Sequence, residues 1–188
     1  GIKWSPMATT QAYVGIFDGQ GYSINNLWHN TGVGNGNRDG LFIRVGSAGK
    51  VMNLTLKNPT IWGASHSGSN AVGGIANLNA GTISGCMIIG GEIQQGNYEY
   101  LGGIAGCNQS GGIIENCAVI NVTFQRRWGG ASSGTMGGIT QTNNGTVRNC
   151  YTYGCDFANG TAQNSAIVAR GTAGEASPGR GSRMREEE

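Results

Sequence analysis

The chain has 188 residues, enough for one domain with a hydrophobic core. Only 12% of its residues are charged and its formal net charge is +2, so composition gives no argument for binding nucleic acid or another polyanion. No apolar run approaches the roughly 18–20 residues needed to cross a bilayer, and we expect no membrane insertion.

Composition favours an all-β protein. The chain has 36 glycines and only 3 prolines, and the glycines lack the three-residue period of collagen. β-branched residues are separated by Gly and Asn, and long patterns of the helical 3.6 period are absent. The first residues, "GIKWSPMATT", lack the pattern of a signal peptide, and the initial Gly suggests a mature or excised piece of a longer protein.

The predicted strands recur as a repeat. In chain order, five segments align: "YSINNLWHN" (22–30), "KVMNLTLKNPTI" (50–61), "TISGCMIIGGEI" (82–93), "IIENCAVINVTF" (113–124) and "TVRNCYTYGCDF" (146–157). Most are preceded by "GGI" or, once, "GLF". One apolar column of the alignment contains Ile24, Val51, Ile83, Ile114 and Val147. A second column, three residues later, contains Leu27, Leu54, Cys86, Cys117 and Cys150.

Two further columns consist of corner residues. The first contains Asn26, Asn53, Gly85, Asn116 and Asn149, and the second contains Asn30, Asn58, Gly90, Asn121 and Gly154. Gly and Asn tolerate the left-handed backbone region that a tight corner needs. Regular columns with irregular spacing predict a β-solenoid, in which equivalent strands of successive coils pair.

We therefore predict a right-handed parallel β-helix of about five coils. The solenoid domain covers residues 1–170, with a polar tail at 171–188 that reads as a linker or a disordered end. The repeats are expected at about 14–39, 40–72, 73–101, 102–136 and 137–170.

The repeated segments resemble a known family. "FDGQGYSINNL" (17–27), "GLF" (40–42), "GGIAG" (102–106) and the recurring "NC" or "NL" after an apolar pair are similar to the GLUG-motif repeat. The resemblance spans about residues 14–157. It implies a solenoid from a bacterial secreted or cell-surface protein, with a structural or adhesive role and without a catalytic residue set.

The cysteines are interpreted as packing residues. No CxxC pair occurs among the five, and Cys86, Cys117 and Cys150 share a column with leucines, as buried small hydrophobes do. Disulfides between adjacent coils stay an alternative, and Cys107 and Cys155 are the less constrained candidates.

Metal and cofactor sites have little support. "GVGNGN" (32–37) lacks the Lys-Ser/Thr ending of a phosphate-binding P-loop. "GNGNRDGLF" (34–42) faintly resembles a calcium-binding nonapeptide, which gives a weak calcium candidate at Asn35, Asn37 and Asp39. We expect no cofactor.

An enzyme is the first alternative, because polysaccharide lyases and glycoside hydrolases use β-helices. Their chemistry needs clustered carboxylates. Asp156 and Glu92 share a column two coils apart, roughly 10 Å, which is too loose a pair to support catalysis. The two histidines, His29 and His66, are expected in solvated loops. A subunit of a phage or appendage fibre is the second alternative.

A binding surface is expected in the side loops. The segments 62–70, 94–100 and 125–136 leave the same corner of each coil, so their side chains should cluster. Aromatic and guanidinium groups suit recognition of a glycan or a host protein. The candidate ligand-binding residues are Trp62, His66, Tyr98, Tyr100, Arg126, Arg127 and Trp128. The alternative is that these loops only cover the solenoid edge.

The favoured function is a non-enzymatic structural or adhesive module, secreted or on the cell surface. Solenoids need protected ends. We therefore expect flanking domains, or self-stacking into an oligomer through the solenoid ends.

Overall fold

The structure, a computed structural model, describes residues 4–7, 10–30, 39–63, 70–95, 99–126, 135–158 and 165–171. These residues contain 23 strands, numbered β1 to β23 in chain order, and no helix. Every strand pair is parallel, and each strand pairs with its equivalents in the adjacent coils, on both sides inside a sheet and on one side at its ends. The predicted all-β parallel solenoid is confirmed, with five rungs that span about four turns. No helix of the described residues is long and apolar enough to cross a membrane.

Three five-stranded sheets form consecutive sides of each coil. Sheet 1 contains β1 (Ile16–Asp18), β5 (Lys50–Met52), β10 (Thr82–Ser84), β15 (Ile113–Glu115) and β20 (Thr146–Arg148). Sheet 2 contains β2 (Ser23–Asn25), β6 (Thr55–Lys57), β11 (Met87–Ile89), β16 (Ala118–Ile120) and β21 (Tyr151–Tyr153). Sheet 3 contains β3 (Trp28–Asn30), β7 (Thr60–Trp62), β12 (Glu92–Gln95), β17 (Thr123–Arg126) and β22 (Asp156–Phe157).

Two more sheets complete the coil. Sheet 4 contains β8 (Asn70–Gly73), β13 (Glu99–Gly102) and β18 (Met136–Gly137). Sheet 5 contains β4 (Phe42–Val45), β9 (Ala76–Asn79), β14 (Ala105–Asn108), β19 (Thr140–Asn143) and β23 (Val168–Gly171).

The core consists of apolar columns that run along the solenoid axis. Strand side chains alternate between the two faces of a sheet, so the middle residue of each three-residue strand points inward. In sheet 1 the inward residues are Phe17, Val51, Ile83, Ile114 and Val147. In sheet 2 they are Ile24, Leu56, Ile88, Val119 and Thr152.

The corners between sheets use the left-handed backbone region, as predicted. Asn53, Asn116 and Asn149 have φ of 52°, 54° and 51°. Asn is one of the few residues with a side chain that adopts this conformation at low cost. In the second corner Asn58, Gly90, Asn121 and Gly154 also have positive φ.

The repeated "GG" marks a sharp bend between sheets 4 and 5. The second glycine of each pair faces the inward column of sheet 2. A Cβ at Gly74 would lie 2.2 Å from Ile88 Cδ1, and one at Gly103 would lie 2.8 Å from Val119 Cγ2. Any side chain at these positions would clash, so the "GGI" repeat reflects close packing inside the coil.

The first coil departs from the sequence alignment. Four residues, 19–22, connect β1 to β2, whereas two residues, Asn53 and Leu54, connect β5 to β6. The two extra residues shift the register: Phe17 pairs with Val51, and Ile24 pairs with Leu56. The assignment of Ile24 and Leu27 to the columns of Val51 and Leu54 was therefore wrong.

The same shift sets the positions of four residues that follow in the first coil. Leu27 aligns with Pro59 and is buried, while Asn26 aligns with Asn58 at the second corner. Asn30 pairs with Trp62 rather than lying at that corner. His29 pairs with Ile61 and is 2% exposed, so its predicted place in a solvated loop was wrong as well.

An N-terminal segment covers part of the first coil. The Trp4 amide donates to the Trp28 carbonyl at 2.8 Å, and Met7 and Tyr13 form isolated parallel bridges with Phe42 and Val45. The Tyr13 and Phe42 rings lie 5.0 Å apart. The edges of sheets 3 and 5 are therefore partly paired at this end.

Candidate binding surface

The outer side of sheet 3 carries two columns of polar and aromatic residues. Because His29, Ile61, Ile93, Phe124 and Phe157 form its inward column, the flanking residues point outward. One outward column contains Trp28, Thr60, Glu92, Thr123 and Asp156, and the other contains Trp62, Gln94 and Gln125. We call these eight residues the sheet 3 face.

Hydrogen bonds fix several of these side chains. Trp62 Nε1 donates to Glu92 Oε1 at 2.9 Å, and Gln94 Nε2 donates to Gln125 Oε1 at 3.3 Å. Trp62, Glu92 and Gln94 are each half-buried. A held indole beside carboxylate and amide groups offers an apolar platform next to hydrogen-bonding partners, which is the combination that sugar rings and polar peptides need.

The predicted side loops leave from this face. The segments between sheet 3 and sheet 4, at 64–69, 96–98 and 127–134, join the same pair of sheets in successive coils. Trp62 lies in β7 at the start of the first loop, and half-buried Tyr100 lies in β13, paired with Ala71. Arg126 ends β17, and its side chain is outside the described residues, as are His66, Tyr98, Arg127 and Trp128.

The weak calcium candidate gains no support. Asn35 and Asn37 lie outside the described residues. Asp39 is fully buried, and its Oδ1 lies 3.3 Å from His29 Nε2. Within the described ranges, no three His, Cys, Asp or Glu side chains are grouped to hold a metal ion.

The two carboxylates considered for catalysis lie where the alignment put them. Glu92 pairs with Thr123, which pairs with Asp156, so the two acids are two rungs apart on the sheet 3 face. Two rungs correspond to about 10 Å. Of the two, Glu92 is engaged with the Trp62 indole.

The three aligned cysteines form a buried column at the corner between sheets 1 and 2. Cys86, Cys117 and Cys150 are 0%, 1% and 2% exposed. Cys117 Sγ lies 3.2 Å from the Glu115 carbonyl oxygen and 3.8 Å from that of Ile83. All five cysteines are free thiols. The column packs the corner, as the leucine in its second rung indicated.

The chemistry of this column is that of protected thiols. Hydrogen bonding with the Cys150 side chain, then with that of Cys86, and burial raise the pKa of Cys117 well above its usual value. Burial also raises the pKa of Cys107 and of Cys155. Hydrogen bonding with the Cys117 side chain shifts its two neighbours the other way and lowers the pKa of Cys86 and of Cys150. The thiolate is the reactive form, but the side chains of this column are 0–2% exposed, so burial keeps substrates away and makes the column poorly suited to nucleophilic catalysis.

A buried column of asparagines lies inside the solenoid, and the sequence alignment did not predict it. Asn79 Nδ2 donates to Asn108 Oδ1 at 2.8 Å, and Asn108 Nδ2 donates to Asn143 Oδ1 at 2.7 Å. All three residues are almost fully buried. Each of these asparagines follows the Ile of "GGI" by four residues. This constant spacing is the sequence pattern from which the column could have been predicted.

Comparison with known proteins gives a likeness over part of the chain. No protein-family model matches the chain, and no solved structure matches it. A segment of 109 residues is 36% identical to part of Halomucin from Haloquadratum walsbyi. The match covers 57% of this chain and 1% of Halomucin. The chain is therefore similar to a very small part of a far longer protein.

Proposed function

We propose that this chain is a structural β-solenoid module of a secreted or cell-surface protein, of the GLUG-repeat kind, and that it serves as a rigid spacer. One observation carries the proposal: four sheets keep their register through five rungs. Each rung is held by backbone hydrogen bonds along the axis and by stacked side chains. Such a coil resists bending without needing a ligand.

The likeness to Halomucin supports this function. That protein's name marks it as mucin-like, and the matched segment is about one hundredth of its length. A solenoid coil suits a long chain, because each added rung pairs with the exposed strand edges of the rung before it in the same way.

Localisation is the direct test of the surface role. An antibody raised against residues 14–157 should label intact cells of the source organism or bind protein in the medium. Protease added to intact cells should remove the cell-bound signal. Labelling only after lysis would contradict the surface role, while a cytoplasmic protein detected in the same samples controls for leakage.

A second function, adhesion, rests on the sheet 3 face. We propose that the half-buried Trp62 indole, held by Glu92, stacks on a sugar ring or a peptide next to the side loops. Binding to a glycan array should fall strongly in Trp62→Ala and Trp128→Ala and partly in Trp62→Phe. Lys50→Ala, on the outer side of sheet 1, is the matched control.

Failure of the unmodified chain to bind the glycan array would remove glycan binding from this proposal. We propose no enzymatic activity. If the chain turned over a polysaccharide, and Asp156→Asn or Glu92→Gln abolished that turnover, the chain would be an enzyme. Trimers or filaments in electron micrographs would favour the fibre alternative.

A further inference from the structure

The outer side of sheet 2 is unlike the other outer surfaces of the solenoid. Its second to fifth rungs present Thr55 and Lys57, then Met87 and Ile89, then Ala118 and Ile120, then Tyr151 and Tyr153. We call these eight residues the sheet 2 face. The three later rungs carry only apolar or aromatic residues, although the inward side of the same strands already supplies Ile88 and Val119 to the core.

The apolar residues of this face are open to solvent in part. Tyr151 is 42% exposed and Tyr153 is 62% exposed, and Met87, Ile89 and Ile120 are half-buried. Beside the face, Arg148 Nη2 donates a hydrogen bond to Glu115 Oε2 at 2.6 Å. A contiguous apolar surface with a charged rim is typical of a protein interaction site.

We propose that the sheet 2 face binds the same face of a second copy of this chain. The two solenoids would run antiparallel about a two-fold axis that lies along the strands, between β11 and β16. This axis places the β11 rung of one copy on the β16 rung of the other, and the β6 rung on the β21 rung.

Side-chain sizes are complementary in this arrangement. Met87 of one copy lies over Ala118 of the other, and Tyr151 lies over Thr55, so at the first outward position of every rung a large residue meets a small one. Ile89 meets Ile120. Both copies have the same rung spacing, about 4.8 Å, so each rung of one face stays over a rung of the other across all four rungs.

The same axis also gives Lys57, the one charged residue of the face, a partner in the other copy. Lys57, which is exposed, comes to lie over the exposed Tyr153 ring of the other copy. An ammonium over an aromatic face is attracted to it, and the two-fold axis creates this contact twice. A parallel arrangement of the copies would instead place Tyr151 against Tyr153 and Lys57 against Thr55, so it would lose both the size match and the cation contact.

The size of the face sets the strength of the contact. Four rungs of three-residue strands give a footprint of about 20 by 10 Å. That is far below the roughly 800 Å² per partner of a standard stable interface. The association should therefore be weak for single modules and effective where several modules are joined in one chain.

Sedimentation velocity over micromolar to millimolar concentrations tests the proposal. The unmodified chain should show a monomer–dimer equilibrium, and Ile120→Lys should weaken it at least tenfold. Ile16→Lys, which changes an exposed apolar residue outside the face, should leave it unchanged. Far-UV circular dichroism of each variant checks that the coil is intact.

Cross-linking tests the register. In a Lys57→Cys, Tyr153→Cys double variant the two thiols of one chain are three rungs apart, about 14 Å, too far for a disulfide within the chain. Oxidation by air should give covalent dimers, whereas a Lys50→Cys, Tyr153→Cys variant should give few. A chain that stays monomeric throughout, or an association that Ile120→Lys does not alter, would overturn the proposal. The second result would assign the association to the solenoid ends.

Discussion

His29 Nε2 lies 3.3 Å from Asp39 Oδ1 in the first coil, where His29 is 2% and Asp39 is 0% exposed. His29 occupies the inward column that Ile61 fills in the next rung. Its Nδ1 lies 2.9 Å from the Trp4 carbonyl oxygen. A polar residue is tolerated at this core position because both ring nitrogens have partners, and one of them connects the N-terminal segment to the solenoid.

The first prediction concerns the coupling of this pair. Asp39→Leu should destabilise the fold by about 1–3 kcal/mol, because it leaves a buried imidazole nitrogen without its partner. Adding His29→Leu should return part of that loss, because apolar groups then replace both partners. A double-mutant cycle in urea measures the coupling, and additive effects of the two changes would contradict it.

The second prediction concerns the asparagine column. Asn108→Ala should cost about 1–3 kcal/mol, because Asn79 and Asn143 each lose a buried hydrogen-bond partner. Ser110→Ala, at an exposed position two residues away, is the control and should change stability little. Denaturant midpoints of the three proteins make the comparison. Equal midpoints for Asn108→Ala and the unmodified chain would mean that the column adds nothing to stability.

The third prediction compares two glycines. A Cβ at Gly103 would lie 2.1 Å from the Gly138 carbonyl oxygen, whereas a Cβ at Gly111 meets nothing within 4 Å. Gly111→Ala should cost only the strain of a positive φ, about 1–2 kcal/mol. Gly103→Ala should lower the melting temperature far more, or prevent folding. Similar melting temperatures for the two variants would show that the bend can open to admit a methyl group.

The fourth prediction concerns Cys117. Cys117→Val or Cys117→Ser should change the melting temperature and leave any binding unaltered, because the thiol packs a corner. Alkylation by iodoacetamide in the folded state should be slowest at Cys86, Cys117 and Cys150, and faster at the half-buried Cys107 and Cys155. Peptide mass spectrometry gives the order, and rapid labelling of Cys117 would contradict its place in the core.

The fifth prediction concerns acid stability. Hydrogen bonds from the Gln20 amide and the Asn53 side chain lower the pKa of Asp18 from its ordinary value of 3.8. A lowered folded-state pKa stabilises the protein above the unfolded value, and this contribution is lost as the pH falls through the folded value. Asp18→Asn should therefore flatten the pH dependence of stability only in that acidic range. Because Asp18 is exposed, the effect should be small, and an equal change at neutral and acidic pH would contradict it.

Much of the fold follows from the sequence. The columns of Val51, Leu54 and Leu56 repeat through the later coils because equivalent residues of a solenoid occupy the same environment. The "GGI" and "NC" signals mark the bend and the corner for the same reason. The alignment of Cys117 with Leu54 is therefore enough to predict its place in the core. Of the seven proposed binding residues, by contrast, the structure describes the side chains of Trp62 and Tyr100 alone.

The first coil and the outer surfaces needed the tertiary structure. Two extra residues between β1 and β2 change which residues of the first coil face inward, and only hydrogen bonds between coils fix that register. Burial of His29 depends on Asp39, ten residues further along the chain, and on Trp4. The sheet 2 face is assembled from strands about 30 residues apart in sequence, of three residues each. The sequence determined the repeating environment of one rung, because that environment is local. The stacking of rungs decided which polar residues are paired inside and which apolar residues meet outside, because those contacts join different coils.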